Sequence, residues 1–565
     1  MPQSRLLPHS ARLTLTMGAT AFYLISTAPA THAESVASQP RDALAASHIG
    51  LYPGTDFRIT KADCKDCAAA PQALWYFGND TIAVARNDAV GATPHLRAQD
   101  DVRAWLAATS ATAQGKPPQL LWIGSPHVAE GRLAPDAASL RVAGADFALP
   151  VALTARLASN RSYFDTSSQA YFAGREMKAR GVHKDGTFHA RTLWPKDYAI
   201  ATLPVPAPLN NGESIESLVR LHDGGAREPF SARTLWRRAD AGASASEFAL
   251  AGKPALAFIL NGAQGDDDEA YGGHFAVATG RFDQQGGWDN WLVNNFYNLG
   301  SVSEKGIIAS TLPMDAYMAD LNSGQSWYRP SYMLVAIMKD ERVPALYQEA
   351  ISRVFNHFYS QDFHYRHAGT NCAGINVDTL RTLGWGIPRV GGESPFKAAL
   401  ALPYMALKEV SLASGQSAYD YLKTERTELL PFVAFNTIGE DLLNRLTGKG
   451  GARSAVEAQL ADDLEAIVFV RIPQFPSSRA FGYDPVLSLG EYEKRAPADR
   501  ADWKIIPVGP REFPASMKNP LAPKERKPQS VTATYVLAAG VLCLSGGVVV
   551  AWRRRRQKVR SRTDI

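Results

Sequence analysis

The sequence predicts an α+β protein. A β-rich N-terminal domain comes first, then an antiparallel sheet with a cysteine-bearing helix, a helical C-terminal part and one transmembrane helix. Three observations carry that prediction. Residues 48–250 hold short apolar segments broken by Gly, Pro, Asn and Asp, which is the spacing of strands and turns. From Lys253 the strand-like runs Ala255–Leu260, His274–Phe282, Trp291–Tyr297 and Tyr332–Met338 give way to helical spacing. Near the end, 531–552 is a run of 22 residues without a charge, long enough to cross a bilayer.

The ends set the expected address. Arg5 and Arg12 precede an apolar run from Leu13 to Ile25, and Ala28, Ala30 and Ala33 follow it. A charged start, a short apolar middle and small residues at the exit read as a signal peptide over 1–33. Behind the apolar run at 531–552 stand Arg553, Arg554, Arg555, Arg556, Lys558, Arg560 and Arg562 against Asp564. That cluster reads as a cytoplasmic tail, 553–565, by the positive-inside rule. The expectation is a single-pass protein in the inner (plasma) membrane, anchored by one C-terminal helix, with its body on the periplasmic side.

Composition agrees with a folded body. The chain has 565 residues, 45% hydrophobic and 20% charged, which excludes disordered, collagen-like and coiled-coil classes. Its formal net charge of +5 suggests a nucleic-acid partner only until the charges are placed. The excess sits at the two ends and the body between them is slightly acidic, so no nucleic-acid partner is expected. No phosphate-binding glycine loop is present, and no cofactor is expected.

Along the body, 48–250 forms the β-rich domain, with Ala73–Phe77, Thr81–Ala85, Gln119–Ile123 and Ala148–Leu153 as strands and Val102–Ala113 as its one candidate helix. The string Ala-Arg-Thr-Leu-Trp recurs at 190–194 and 232–236, too little for a repeat. Helices are expected over Val343–Tyr359 and from Cys372 to Leu383. Residues 396–470 read as a helical extension. Residues 473–530, rich in Pro and charge, read as a tether.

Four cysteines are present. Cys543 lies in the apolar run near the C-terminus. Cys64 and Cys67 form a CxxC whose simplest reading in an exported chain is a disulfide loop. Cys372 stands alone after Gly369-Thr370-Asn371, where a helix N-terminus favours the thiolate. A thiolate nucleophile needs a base, itself oriented by a polar group. His274 opens a strand after Gly272 and Gly273, and the next strand carries Asn294 and Asn295, of which one can share an inward face. Asn294 is the slightly favoured orienter, because Leu292 and Phe296 share its face.

A Gly-Gly-His-Phe-Ala-Val strand, a second strand with an inward polar residue, and Asn-Cys opening a helix together resemble the permuted papain-like thiol hydrolases. These include the lecithin-retinol-acyltransferase-like branch and the permuted NlpC-type members. The resemblance covers about 253–390. It implies a permuted papain-like domain over 253–395, with Cys372 as nucleophile, His274 as base and Asn294 or Asn295 as orienter. Ala373 and Gly374 stand where the acyltransferase branch often has Glu-His, which leaves hydrolysis of an amide or ester as the expected chemistry. The expected substrate is a cell-wall peptide, a lipid or a protein; the alternative is a non-catalytic envelope scaffold.

His357, His364 and His367, with Asp362, form a second cluster. No HExxH motif accompanies them and no metal site is assigned. Tyr365, His367 and Asn371 are instead expected to line a substrate groove beside Cys372.

Overall fold

The computed structural model describes residues 49–52, 82–85 and, with short gaps, 93–476. A ten-stranded sheet runs through the molecule. From one edge, its strands are β1 (Ile49–Tyr52), β3 (Leu120–Ile123), β2 (Ile82–Ala85), β16 (Ser310–Pro313), β15 (Leu292–Asn295) and β14 (His274–Arg281). The order continues with β13 (Pro254–Asn261), β17 (Ser331–Met338), β18 (Leu464–Ile472) and β11 (Ser231–Arg237). All neighbours pair antiparallel except β1 with β3. The centre is unbroken apolar sequence: every residue of Pro-Ala-Leu-Ala-Phe-Ile-Leu-Asn in β13 and of Ser-Tyr-Met-Leu-Val-Ala-Ile-Met in β17 is buried. Strands flanked on both faces need no polar alternation.

A second sheet closes on itself. Strands β4 (His127–Leu133), β5 (Ser139–Val142), β6 (Ala148–Leu153), β8 (Thr187–Ala190) and β7 (Glu176–Lys184) follow one another, and β4 pairs with β7. The result is a five-stranded Greek-key barrel with β6 parallel to β8. Its β7–β8 turn has Asp185 at φ 51° and Gly186 at φ 77°, the two positive angles that a tight Asp-Gly hairpin needs. Strand β9 (Trp194–Pro195) lies beside β7, and β10 (Thr202–Leu203) pairs with β12 (Phe248–Ala249).

The helices are α1 (Ala98–Thr109), α2 (Thr166–Phe172), α3 (Ile215–Arg220), α4 (Met314–Ala319), α5 (Arg342–Tyr359) and α6 (Cys372–Thr382). After them come α7 (Pro395–Lys408), α8 (Leu412–Lys423), α9 (Arg426–Leu429), α10 (Pro431–Leu446) and α11 (Ala455–Asp463). Helices α5, α6 and α10 pack on β13 and β14. The barrel docks on the β14–α4 region through buried charge pairs. Arg180 meets Asp315 at 2.8 Å, Lys178 meets Asp289 at 2.9 Å, and Arg191 pairs with Asp320. Trp194 stands edge-on to Trp288 with ring centroids 4.7 Å apart.

This architecture corrects the expected fold class. The front half is not a separate β-rich domain: β1–β3 join one edge of the main sheet and β11 forms the other. The helical extension does not run to 470, because α11 ends at Asp463 and β18 begins at once. Nearly all of Leu-Glu-Ala-Ile-Val-Phe-Val-Arg-Ile is buried, and the strand inserts between β17 and β11. It is this insertion that draws β11 into the common core.

The single-pass reading, with its inner-membrane address and membrane partner, is corrected as well. Among the described residues no helix is long and apolar enough to cross a membrane. The longest, α5, carries Arg342, Glu349, Arg353 and His357. The runs at 1–33 and 531–552 lie outside the described residues, as do Ala73–Phe77 and almost all of 473–530. The expected disulfide also finds no counterpart: the one cysteine among the described residues, Cys372, is free. Cys64 and Cys67 lie outside them.

Candidate functional site

Asn371 caps α6 in extended backbone, its Oδ1 accepting the Gly374 N–H at 2.8 Å. Its Nδ2 donates to the carbonyls of His367 at 2.8 Å and Leu429 at 2.9 Å, so the amide is fully engaged in holding the helix start. Gly374 is needed for that start: a Cβ there would stand 2.6 Å from the Gly369 carbonyl oxygen. Gly369 itself sits at φ 106°, open to glycine and strained for other residues.

Cys372 is therefore the first residue of α6, 4% exposed. Its backbone N–H donates to the Tyr365 hydroxyl at 3.3 Å. Burial pushes the thiol up, while the Phe275 amide, the Tyr365 hydroxyl, the Ala373 amide and the charge of Arg329 lean toward the thiolate without offsetting it. The Phe275 contact puts the sulfur at the start of β14, one residue from His274.

His274 follows Gly273, whose φ of 77° turns the chain into β14. The ring is 2% exposed, and its Nε2 lies 2.7 Å from Asn295 Oδ1. An amide oxygen only accepts, so Nε2 carries the proton and Nδ1 keeps a lone pair. Tyr297 and Tyr317 flank the ring at 5.3 and 6.3 Å between centroids. Burial strips water from the imidazolium, Arg329 adds its charge, and the Asn295 hydrogen bond pulls the other way. The balance lowers the pKa to about 3, so the resting base is neutral.

Register decides which asparagine serves His274. Asn294 stands opposite Val277 and turns to α5, where its Nδ2 donates to Gln348 Oε1 at 2.9 Å; its Oδ1 accepts from the Thr311 hydroxyl of β16 at 3.0 Å. Asn295 takes the opposite face with His274. The preference for Asn294 rested on Leu292 and Phe296 marking the inward face, yet both faces of this strand are covered. Behind His274, Asn261 and Ser331 complete one row across β14, β13 and β17. Asn261 Nδ2 donates to Ser331 Oγ at 2.7 Å, and the Tyr317 hydroxyl donates to Asn261 Oδ1.

The structure thus brings Cys372, His274, Asn295 and Tyr365 to one end of β14, with Asn294 on the other face of the sheet. Tyr365 is half-buried beside the thiol, and His367 is exposed, its ring edge-on to Tyr365 at 5.7 Å. His357 lies elsewhere, in a buried tie between α5 and α1: its Nε2 is 2.9 Å from Asp101 Oδ2, and Arg353 reaches Asp101 at 2.8 Å. His364 and Asp362 lie outside the described residues. Among those described, no group of His, Cys, Asp and Glu is placed to hold a metal ion. A cleft lined by Gln99, Arg103, Asp378, Arg381, Thr382 and Arg389 lies at the far end of α6 from the thiol.

Sequence reasoning passed over Tyr317, Asn261 and Arg329. Only Arg329 left a signal, as a lone charge between Trp327-Tyr328 and Pro330 just ahead of an apolar strand. No family model, no curated protein and no solved structure matches this chain.

Proposed function

We propose that the chain is a thiol hydrolase that cleaves an amide or ester. Cys372 is the nucleophile, His274 the general base and Asn295 the group that orients it. One observation carries the reading: the Cys372 sulfur meets the Phe275 amide at the start of β14, next in sequence to His274, whose imidazole proton is held on Nε2 by Asn295. The resemblance to permuted papain-like hydrolases supports the same roles.

The steps follow from the groups present. His274 Nδ1 takes the thiol proton as sulfur attacks the carbonyl carbon, since both groups start neutral. The oxyanion is met by the Cys372 backbone N–H and the Tyr365 hydroxyl, already within 3.3 Å of each other. His274 returns the proton to the leaving amine or alcohol, and water then releases the acyl group from sulfur.

A buried thiol with a raised pKa is also what a structural cysteine in a scaffold shows, and one measurement separates the two. Iodoacetamide labelling of the full chain is expected at Cys372, with a rate that falls by about 100-fold or more in His274→Ala. An inert Cys372 in the folded parent, or a rate indifferent to His274, overturns the catalytic reading.

A further inference from the structure

Arg329 stands two residues before β17, at the end of the sheet that carries His274. It is 1% exposed, and neither its Nε nor its Nη1 finds a hydrogen-bond partner. Among the described residues no carboxylate pairs with it. Other enclosed arginines here do hold one: Arg180 has Asp315, Arg191 has Asp320, and Arg381 has Glu425 and Glu428. A guanidinium stays charged at any working pH, and an ion stripped of water without a counter-ion costs several kcal/mol. Such a group persists where something else recovers the loss.

Its surroundings indicate what that is. The charge of Arg329 is felt by Cys372, His274 and Tyr317, so it lies within electrostatic reach of the groups that would surround the reacting bond. Ser331, two residues on, is in register with Asn261, and Asn261 with His274.

We propose that Arg329 is the anion-binding element of the substrate site and receives a carboxylate that the substrate carries close to the bond attacked by Cys372. The inference rests on Cys372 being the nucleophile and narrows the substrate to acid-bearing amides or esters, such as acidic peptides. A carboxylate set on Arg329 also screens its charge from His274, which makes the base more basic only when an acidic substrate is seated.

The test compares two reagents of similar size on the full chain. Iodoacetate and iodoacetamide both alkylate a thiolate, forming the C–S bond as iodide leaves, but only the first is an anion. Free cysteine supplies the reference ratio of the two rates. The ratio of iodoacetate to iodoacetamide at Cys372 is expected to exceed that reference about tenfold, the worth of one charge-assisted hydrogen bond. Arg329→Gln is expected to return it to the reference, and Arg329→Lys to keep part of the gain. A ratio unchanged in Arg329→Gln overturns the proposal. So does an equal fall in both rates, which would make Arg329 a support for the thiolate. If Cys372 resists both reagents in the folded parent, the nucleophile assignment itself fails and takes the subsite with it. Should Arg329→Gln not fold, the parent alone decides: benzoate is expected to slow iodoacetamide labelling while neutral benzamide does not, and equal effects of the two overturn the subsite.

Discussion

Two buried histidines in this molecule meet opposite surroundings. His357 has a carboxylate: Asp101 Oδ2 lies 2.9 Å from its Nε2, Arg353 reaches Asp101 Oδ1 at 2.8 Å, and the two contacts tie α1 to α5. Burial works against ionisation of Asp101, but hydrogen bonds from His357, Arg353 and Thr93 outweigh it and hold the carboxyl well below its usual range. His274 has a neutral amide and a nearby guanidinium in place of the carboxylate. In the first arrangement Arg353 matches the carboxylate within the chain, although its Nε finds no hydrogen-bond partner. The second leaves a lone pair on Nδ1 and, among the described residues, a guanidinium that no carboxylate pairs with. Buried polar groups that satisfy each other stabilise; those left open are where chemistry is to be sought.

The largest effect should come from pH. The His274 pKa is lowered from 6.5 unfolded to about 3 in the fold, so between those values the unfolded chain binds more protons than the native one. The stability tied to this group is fully present above pH 6.5 and is lost as pH falls toward 3, in total about 5 kcal/mol. Denaturant titrations from pH 7 to pH 4 are expected to show a steeper loss in the parent than in His274→Gln, by close to one proton at the steepest point. Parallel curves would mean that His274 is not buried neutral. Next in size, Asp101→Asn breaks the Asp101 cluster and leaves Arg353 and His357 enclosed without their anion. It should cost about 3–5 kcal/mol in denaturant midpoint terms while changing the iodoacetamide rate at Cys372 less than twofold. A large change in that rate would erase the distinction between the two histidines.

The neighbouring asparagines sharpen the same contrast on a smaller scale. Asn294→Ala strips partners from buried Gln348 and Thr311 and should cost about 1–3 kcal/mol of stability with little change in thiol reactivity. Asn295→Ala frees the His274 ring to turn, and should cost less stability but slow Cys372 labelling about tenfold or more. If both variants give the same profile, the register of β15 against β14 is not what selects the orienting group.

How much of this was legible without coordinates follows from the physics of each segment. Strands β13, β14 and β17 and helices α5 and α6 are visible because each is a long apolar or periodic run with punctuated ends, such as Gly273 before His274 and Gly384 after α6. Cys372 and His274 stand out because each follows a conformational marker, Asn371 as cap and Gly273 as turn. Strand β18 was hidden because α11 passes into it without a breaker, from Asp463 to Leu464. The choice between Asn294 and Asn295 was hidden because alternation identifies a face only when one face is wet, and here both are dry. Arg329 showed only as a lone charge ahead of an apolar strand, because the absence of a counter-ion is a property of three dimensions.

The smallest effect concerns Asn371, where the expected groove residue turns out to hold three hydrogen bonds. Asn371→Ser keeps an oxygen for the Gly374 N–H and loses both donations, whereas Asn371→Ala loses all three. The two variants should differ by about 1 kcal/mol, the usual worth of a helix cap. If the side chain only positions α6, labelling at Cys372 should follow helix stability in both variants, falling more in Asn371→Ala than in Asn371→Ser. A fall in labelling as large in Asn371→Ser as in Asn371→Ala, with the serine variant nearly as stable as the parent, would instead mean that the amide itself acts on the thiol.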